Sequence, residues 1–272
     1  MNEFLQAALL GLVEGVTEFL PVSSTGHLIV ASELLGFRDS GGTFEIVIQL
    51  GAVLAVVWFY RQDLWLRLRT LSSSAVTRRF ALNVIIACLP AALLGFALKD
   101  VITGVLFSPA VVGVSLILGG LVLWWVDRPK PPSGEVALGH DGPRGLDAIS
   151  TRQALLIGLA QTVALIPGVS RSGSSIVGGL LTGLDRPTAT AFSFYLAIPV
   201  LGGATLYELL DNLGEIMASG QTGVYATGLA VSFVTALLAV SWLLRYIAHH
   251  DFRGFALYRV VVGLLILAWV FW

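Results

Sequence analysis

Glu14-Gly15-Val16-Thr17-Glu18-Phe19-Leu20-Pro21-Val22-Ser23-Ser24-Thr25-Gly26-His27 breaks an otherwise apolar stretch that runs from roughly residue 4 to 36. A second apolar stretch, roughly 154–184, is broken in the same way by Pro167-Gly168-Val169-Ser170-Arg171-Ser172-Gly173. Crossing a hydrocarbon core takes about 20 helical residues, and the flanks of each break are shorter than that. Irregular backbone at membrane depth is tolerated only where protein or a cavity surrounds it. Each stretch is therefore expected to be a re-entrant helix–loop–helix hairpin.

The membrane itself follows from composition. Of 272 residues, 56% are hydrophobic and only 12% charged, against about 25% charged in soluble domains. Such a chain cannot cover a globular surface with polar side chains. This excludes an ordinary soluble enzyme, a disordered tail and a nucleic-acid partner, and the net charge of −1 offers no field for a polyanion. Cys88 is the single cysteine, so neither an intrachain disulfide nor a multi-thiolate metal site can form. No Lys or Arg precedes Arg38, so the basic start of a cleaved signal peptide is missing.

Six further runs are expected to span the bilayer: roughly 44–60, 80–98, 106–126, 188–207, 224–244 and 255–272. The last carries Arg259 near its start and ends in interfacial aromatics. The 61–79 connection holds Arg61, Arg67, Arg69, Arg78 and Arg79 with Asp63 as its only acid, which places it in the cytoplasm. Counting spans onward puts 127–153 in the cytoplasm and the acidic 208–223 outside, with both termini outside. The Pro-, Gly- and Ser-containing 127–150 stretch reads as a mobile linker.

Sliding the chain along itself by 147 positions aligns the two breaks. Gly11-Leu12 falls on Gly158-Leu159, Glu14 on Gln161, Ser23 on Ser170, Gly26 on Gly173, Ile29-Val30 on Ile176-Val177 and Gly36 on Gly183, with about ten of 26 positions identical. Three spans separate the hairpins, so the copies are inverted. The expected fold is an all-α polytopic membrane domain over 1–272, with six transmembrane helices and two re-entrant hairpins. Residues 1–126 form one repeat, 127–153 a cytoplasmic linker and 154–272 the second repeat. Inverted repeats with interrupted helices place a binding site near the midplane.

Glu14 and Glu18 lie four apart, on one helix face. Two acids there need a cation between them, and a hard ion such as Mg²⁺ or Ca²⁺ suits their oxygens; the alternative is one protonated acid and one paired with Arg171. Ser23, Ser24 and Thr25 follow Pro21, and His27 is one helical turn on. That spacing fits a nucleophile and its base, or equally a helix cap with a core histidine. Arg171 keeps its charge inside an apolar hairpin. With Ser170, Ser172, Ser174 and free N–H groups at a helix start it would receive phosphate, or form a salt bridge to Glu14 or Glu18. There is no Walker-type loop, zinc-ligand spacing or Gly-x-Ser-x-Gly elbow.

The two polar segments, with Phe44-Glu45-Ile46-Val47-Ile48-Gln49-Leu50-Gly51, resemble the signature regions of the undecaprenyl-diphosphate phosphatase family, the bacitracin-resistance proteins. The resemblance covers essentially the whole chain. One departure is Ser175, where the family's second motif usually has threonine. The resemblance implies a divalent-metal-dependent phosphatase of the bacterial inner membrane. It would act from the periplasmic side on a polyprenyl diphosphate lipid and return the carrier to peptidoglycan synthesis. For that reaction the residues expected to act are Ser24, or Ser23, as nucleophile unless water attacks directly, His27 as base or stabiliser of the leaving group, and Glu14 and Glu18 on the metal or orienting His27. Arg171, Ser170, Ser172, Ser174 and Thr25 would hold the diphosphate. A transporter or flippase for a phosphorylated lipid would suit the same residues, and a homodimer is compatible with them.

Overall fold

A computed structural model describes residues 2–37, 42–98, 102–106, 108–127, 144–218 and 220–272, and all regular structure among them is helical. In chain order the main helices are α1 (Glu3–Thr17), α2 (Ser24–Leu35), α3 (Thr43–Phe59), α4 (Arg61–Thr70), α5 (Ala75–Ala97) and α6 (Pro109–Val126). Then follow α7 (Thr151–Gln161), α8 (Arg171–Leu181), α9 (Arg186–Asp211), α10 (Thr222–Ile247) and α11 (Arg253–Phe271). Helices α5, α6, α9, α10 and α11 are long and apolar enough to cross a bilayer. Helix α3 joins them if its 68° bend into α4 is counted as one span. The arms of the two broken stretches, α1, α2, α7 and α8, have 15, 12, 11 and 11 residues, too few to cross. This is the fold of a multi-pass membrane protein.

Local chemistry sets the helix starts. The Ser74 hydroxyl accepts from the Thr77 N–H, so α5 begins five residues before the expected apolar run. Ser108 does the same for Val111 ahead of Pro109, and Ser150 with Gln153 forms a capping box on α7. The surface is inverted relative to a soluble protein. Phe96 is 89% exposed while Glu14 is 1% exposed, as expected where lipid, not water, bathes the outside.

With no hydrophobic drive between helices in lipid, close contact comes from small residues. A Cβ on Gly11 of α1 would fall 2.4 Å from the Gly228 carbonyl oxygen of α10. One on Gly158 of α7 would fall 2.4 Å from the Ala87 carbonyl oxygen of α5. These glycines are partners in the 147-residue alignment, and α5 and α10 themselves start 147 positions apart, at Ala75 and Thr222. Helix α1 packs on α10 as α7 packs on α5, and α6 lies against α11.

The arginine-rich connection is more ordered than a loop. Arg67 of α4 donates to Asp63 at 2.6 Å and Asp147 at 2.8 Å and lies 3.9 Å from the Phe80 ring centroid. The Tyr195 hydroxyl donates to Asp63, which ties α4 to α9. Of the expected linker, residues 128–143 lie outside the described residues. Its last part is docked, not mobile: Leu146 and Ile149 are buried, and Asn83 donates to the Ile149 carbonyl at 2.7 Å.

Candidate active site

The tips of the two broken stretches meet. Helices α2 and α8 begin at Ser24 and Arg171, which are aligned positions, and each is preceded by a serine with positive φ. Ser23 has φ 72° and Ser170 φ 75°, and no other non-glycine residue among those described has positive φ. A side chain is strained there, by about 1–3 kcal/mol, and persists only where the surroundings impose it. Here the strained residue turns the chain sharply from loop into helix. It leaves the first N–H groups of two helices, with their partial positive charge, at one place. Ser170 caps the Gly173 N–H at 3.0 Å, whereas Ser23 makes no such cap, so the start of α2 is the freer of the two.

Between the tips lies a cavity of about 160 Å³ lined by Glu18, Ser23, Ser24, Thr25, Gln49, Ser170 and Arg171, with Ala164, Pro167, Gly168 and Leu201. Ser24 donates its hydroxyl hydrogen to Glu18 Oε2 at 2.5 Å. Arg171 Nη2 is 3.3 Å from Glu18 Oε1, and Nη1 donates to the Ser193 carbonyl at 2.9 Å. Glu18 thus stands between a hydroxyl and a guanidinium. The Arg171 salt bridge expected as one alternative is formed, and with Glu18, not Glu14.

Other expected site residues stand farther back. Ser172 is fully buried and donates to the Leu20 carbonyl at 2.8 Å, binding one hairpin to the other. Ser174 faces an apolar groove on the opposite side of α8. Ser175, at the departure from the family motif, has its Oγ 2.7 Å from Ser193 Oγ and 3.0 Å from the Arg171 carbonyl oxygen, so its hydroxyl braces α8 against α9. His27 is not paired with a serine hydroxyl. Its Nδ1 is 2.7 Å from the Ser23 carbonyl oxygen and its Nε2 is 2.7 Å from the Tyr258 hydroxyl. One helical turn returns the ring to the strained backbone, where Nδ1–H donates to the carbonyl, and Tyr258 of α11 takes the other nitrogen. The expected His27–serine pair is therefore replaced by Ser24–Glu18.

Glu14 is buried one turn behind Glu18, and among the described residues its Oε1 has no hydrogen-bond partner. Its aligned counterpart, Gln161, is likewise buried with both side-chain atoms unpartnered. No group of three or more His, Cys, Asp and Glu side chains placed to hold a metal ion occurs among the described residues. Glu14, with an orphan carboxylate oxygen, and Glu18 would be the residues to hold a hard divalent ion, which suits oxygen donors.

Two residues of the site were not identified from sequence. Gln49 lines the cavity and accepts from the Thr205 hydroxyl at 3.2 Å; as the only polar side chain between Ile46 and Phe59 it did carry a signal. Arg259, expected only near the start of a span, reaches the backbone of both tips.

Known proteins resemble the chain over nearly its whole length. The family model described as bacitracin resistance protein BacA matches residues 7–265. The chain is 51% identical over 263 residues to undecaprenyl-diphosphatase 1 of Paraburkholderia xenovorans, covering 96% of this chain and 93% of that protein. It is 50% identical over 270 residues to the undecaprenyl-diphosphatase of Methylococcus capsulatus, covering 98% and 95%, and 44% identical over 278 residues to that of Bordetella avium, covering 98% and 97%. With matches of this extent spanning both hairpins and the helices that carry them, the chain belongs to the bacitracin resistance protein BacA family.

Proposed function

We propose that this protein is an integral membrane phosphatase that hydrolyses undecaprenyl diphosphate to undecaprenyl phosphate and inorganic phosphate. This recycles the lipid carrier for cell-wall synthesis and confers bacitracin resistance. Membership of the family and the names of its relatives support the reaction. The observation that carries the chemistry is the Ser24–Glu18–Arg171 contact inside a cavity built from both hairpins.

In this mechanism Glu18 Oε2 takes the proton of Ser24 Oγ as that oxygen attacks the terminal phosphorus. The new O–P bond forms as the phosphoanhydride P–O bond breaks, and undecaprenyl phosphate leaves. Water then hydrolyses the phosphoserine to release phosphate. Phosphoryl transfer depends chiefly on positioning and charge neutralisation. Arg171 and the helix-start N–H groups of α2 and α8 supply both. Arg171 must exchange part of its bond to Glu18 for phosphate oxygens, which frees the carboxylate to act as base. His27, held by Ser23 and Tyr258, steadies the strained turn that aims Ser24. Glu14 and Glu18 would hold a divalent cation, Mg²⁺ or Ca²⁺; when bound it adds positive charge next to the diphosphate.

The architecture that suits this site is an inverted-topology repeat, residues 1–126 against 154–272. The aligned helix starts, the two strained serines and the paired packing of α1 on α10 and α7 on α5 support it. The arginines of α4 and the start of α5 favour a cytoplasmic location for that end. The first hairpin then enters from outside, and the site serves the periplasmic face of the inner membrane.

The test is release of phosphate from undecaprenyl diphosphate by the purified protein in detergent. Turnover that is abolished by Ser24→Ala is the expected result. Detergent-solubilised protein that binds the lipid without releasing phosphate would overturn the reading and favour a carrier.

A further inference from the structure

Arg259 is the largest fully buried side chain among the described residues, 1% exposed, and among those residues its hydrogen bonds all go to backbone carbonyls. Nη1 donates to the Pro21 carbonyl at 3.1 Å, and Nη2 donates to the Val169 carbonyl at 2.8 Å and the Gly168 carbonyl at 3.3 Å. Weaker donations reach Leu116 at 3.4 Å and Ser115 at 3.5 Å on α6. Among the described residues no carboxylate pairs with it.

The identity of these carbonyls is informative. Pro21 and Gly168 are aligned positions of the two motifs, and each lies two residues before a strained serine, Ser23 or Ser170. One guanidinium therefore grips equivalent points of both tips, and a flat fork of five N–H donors is what such a bridge needs. A lysine ammonium is a point donor on a flexible stem and cannot span both tips. The surroundings make room for the fork. A Cβ on Gly119 would fall 2.0 Å from Nη2, and one on Gly173 would fall 2.9 Å from Nη1. With no carboxylate beside it among the described residues, the guanidinium brings a positive charge to the backbone just ahead of the two helix starts that face the cavity.

We propose that Arg259 is the positioning residue of the site: it clamps the two hairpin tips in register, so that Ser24 and Arg171 meet one phosphate, and it biases the cavity toward anions. It acts through Pro21, Gly168 and Val169 and does not line the cavity. The catalytic consequence rests on the phosphatase reading above, whereas the clamping does not.

Two variants separate the clamp from the charge. Arg259→Lys keeps the charge and loses the fork. Gly119→Ala keeps the arginine and pushes its guanidinium off the carbonyls. Two measurements are made on each after size-exclusion selection of folded protein. The first is kcat and KM for phosphate release from undecaprenyl diphosphate. The second is the rate at which a short bifunctional thiol reagent links Thr25→Cys to Ala164→Cys, one on each hairpin, in a Cys88→Ala background. We expect both variants to lose about tenfold or more in kcat, corresponding to about 1.4 kcal/mol, with a smaller rise in KM and several-fold slower crosslinking. Gly119→Ala decides alone if Arg259→Lys does not fold. Unchanged kcat in Gly119→Ala, or unchanged crosslinking in whichever variants fold, would overturn the proposal. Crosslinking needs no turnover, so an absence of phosphate release by the parent protein would remove the phosphatase reading and leave the clamp still measurable.

Discussion

Ser24 occupies the first turn of α2 with its hydroxyl on Glu18, and Glu18 also meets Arg171. Removing the nucleophile is expected to lower phosphate release on the order of a hundredfold or more in Ser24→Ala. Ser23→Ala, which loses a hydroxyl that caps nothing, should cost far less. Equal losses in the two would mean that the strained turn, not the Ser24 oxygen, is what the reaction needs. Arg171→Lys retains charge but not the planar fork that now divides between Glu18 and the Ser193 carbonyl. Its activity should fall roughly tenfold or more, and near-parent turnover would reduce Arg171 to a structural salt-bridge partner. The orphan Oε1 of Glu14 yields a separate expectation. Glu14→Gln should move the midpoint of Mg²⁺ or Ca²⁺ activation upward more than it lowers the maximal rate. A lowered rate at an unchanged midpoint would assign Glu14 to proton handling.

At the scale of elements, the hairpins depend on glycine contacts that no side chain can replace. The missing Cβ atoms of Gly11 and Gly158 let α1 and α7 lie directly on the backbone of α10 and α5. Gly11→Val and Gly158→Val should each destabilise the protein by about 1–3 kcal/mol through overpacking, read as a lower thermal midpoint in detergent. Gly203→Val on α9, where a Cβ meets nothing within 4 Å, is the control and should leave the midpoint nearly unchanged. A control that falls as far as the other two would deny any special packing role to the aligned glycines. Helix α4 shows a limit of reading elements from charge. The five arginines and one acid of 61–79 gave only a cytoplasmic location, whereas in the structure Arg67 of α4 finds Asp63, Asp147 and the Phe80 ring and docks the helix.

For the whole molecule, the proposed orientation puts the Ser24 cavity toward the periplasm. In Ser24→Cys, made in a Cys88→Ala background, a membrane-impermeant thiol reagent added to intact spheroplasts should label the new thiol, and bound substrate should protect it. Labelling only from the cytoplasmic side of inverted vesicles would reverse the topology. The division of the molecule into apolar spans and broken stretches was legible because lipid imposes a length: α5, α6, α9, α10 and α11 contain the long apolar runs, and the polar breaks stand out against them. The internal similarity of the two broken stretches was legible because Gly and Ser recur in register, and the identity of the polar residues followed from the cost of burying them. Which partner each one takes was not legible. Spacing put His27 beside a serine hydroxyl, but a distant helix brings Tyr258 to its far nitrogen and the strained Ser23 carbonyl takes the near one. Glu18 was separated from Glu14 only by Arg171, which comes from 153 residues away. Arg259 was placed only near the start of the last run, and it is the packing of α11 against α6 that carries it to both tips. Sequence determines which groups must be buried and how far the chain can reach. Hydrogen bonds extend only about 3 Å, so the choice among partners belongs to the tertiary structure, where α1, α8, α9 and α11 converge.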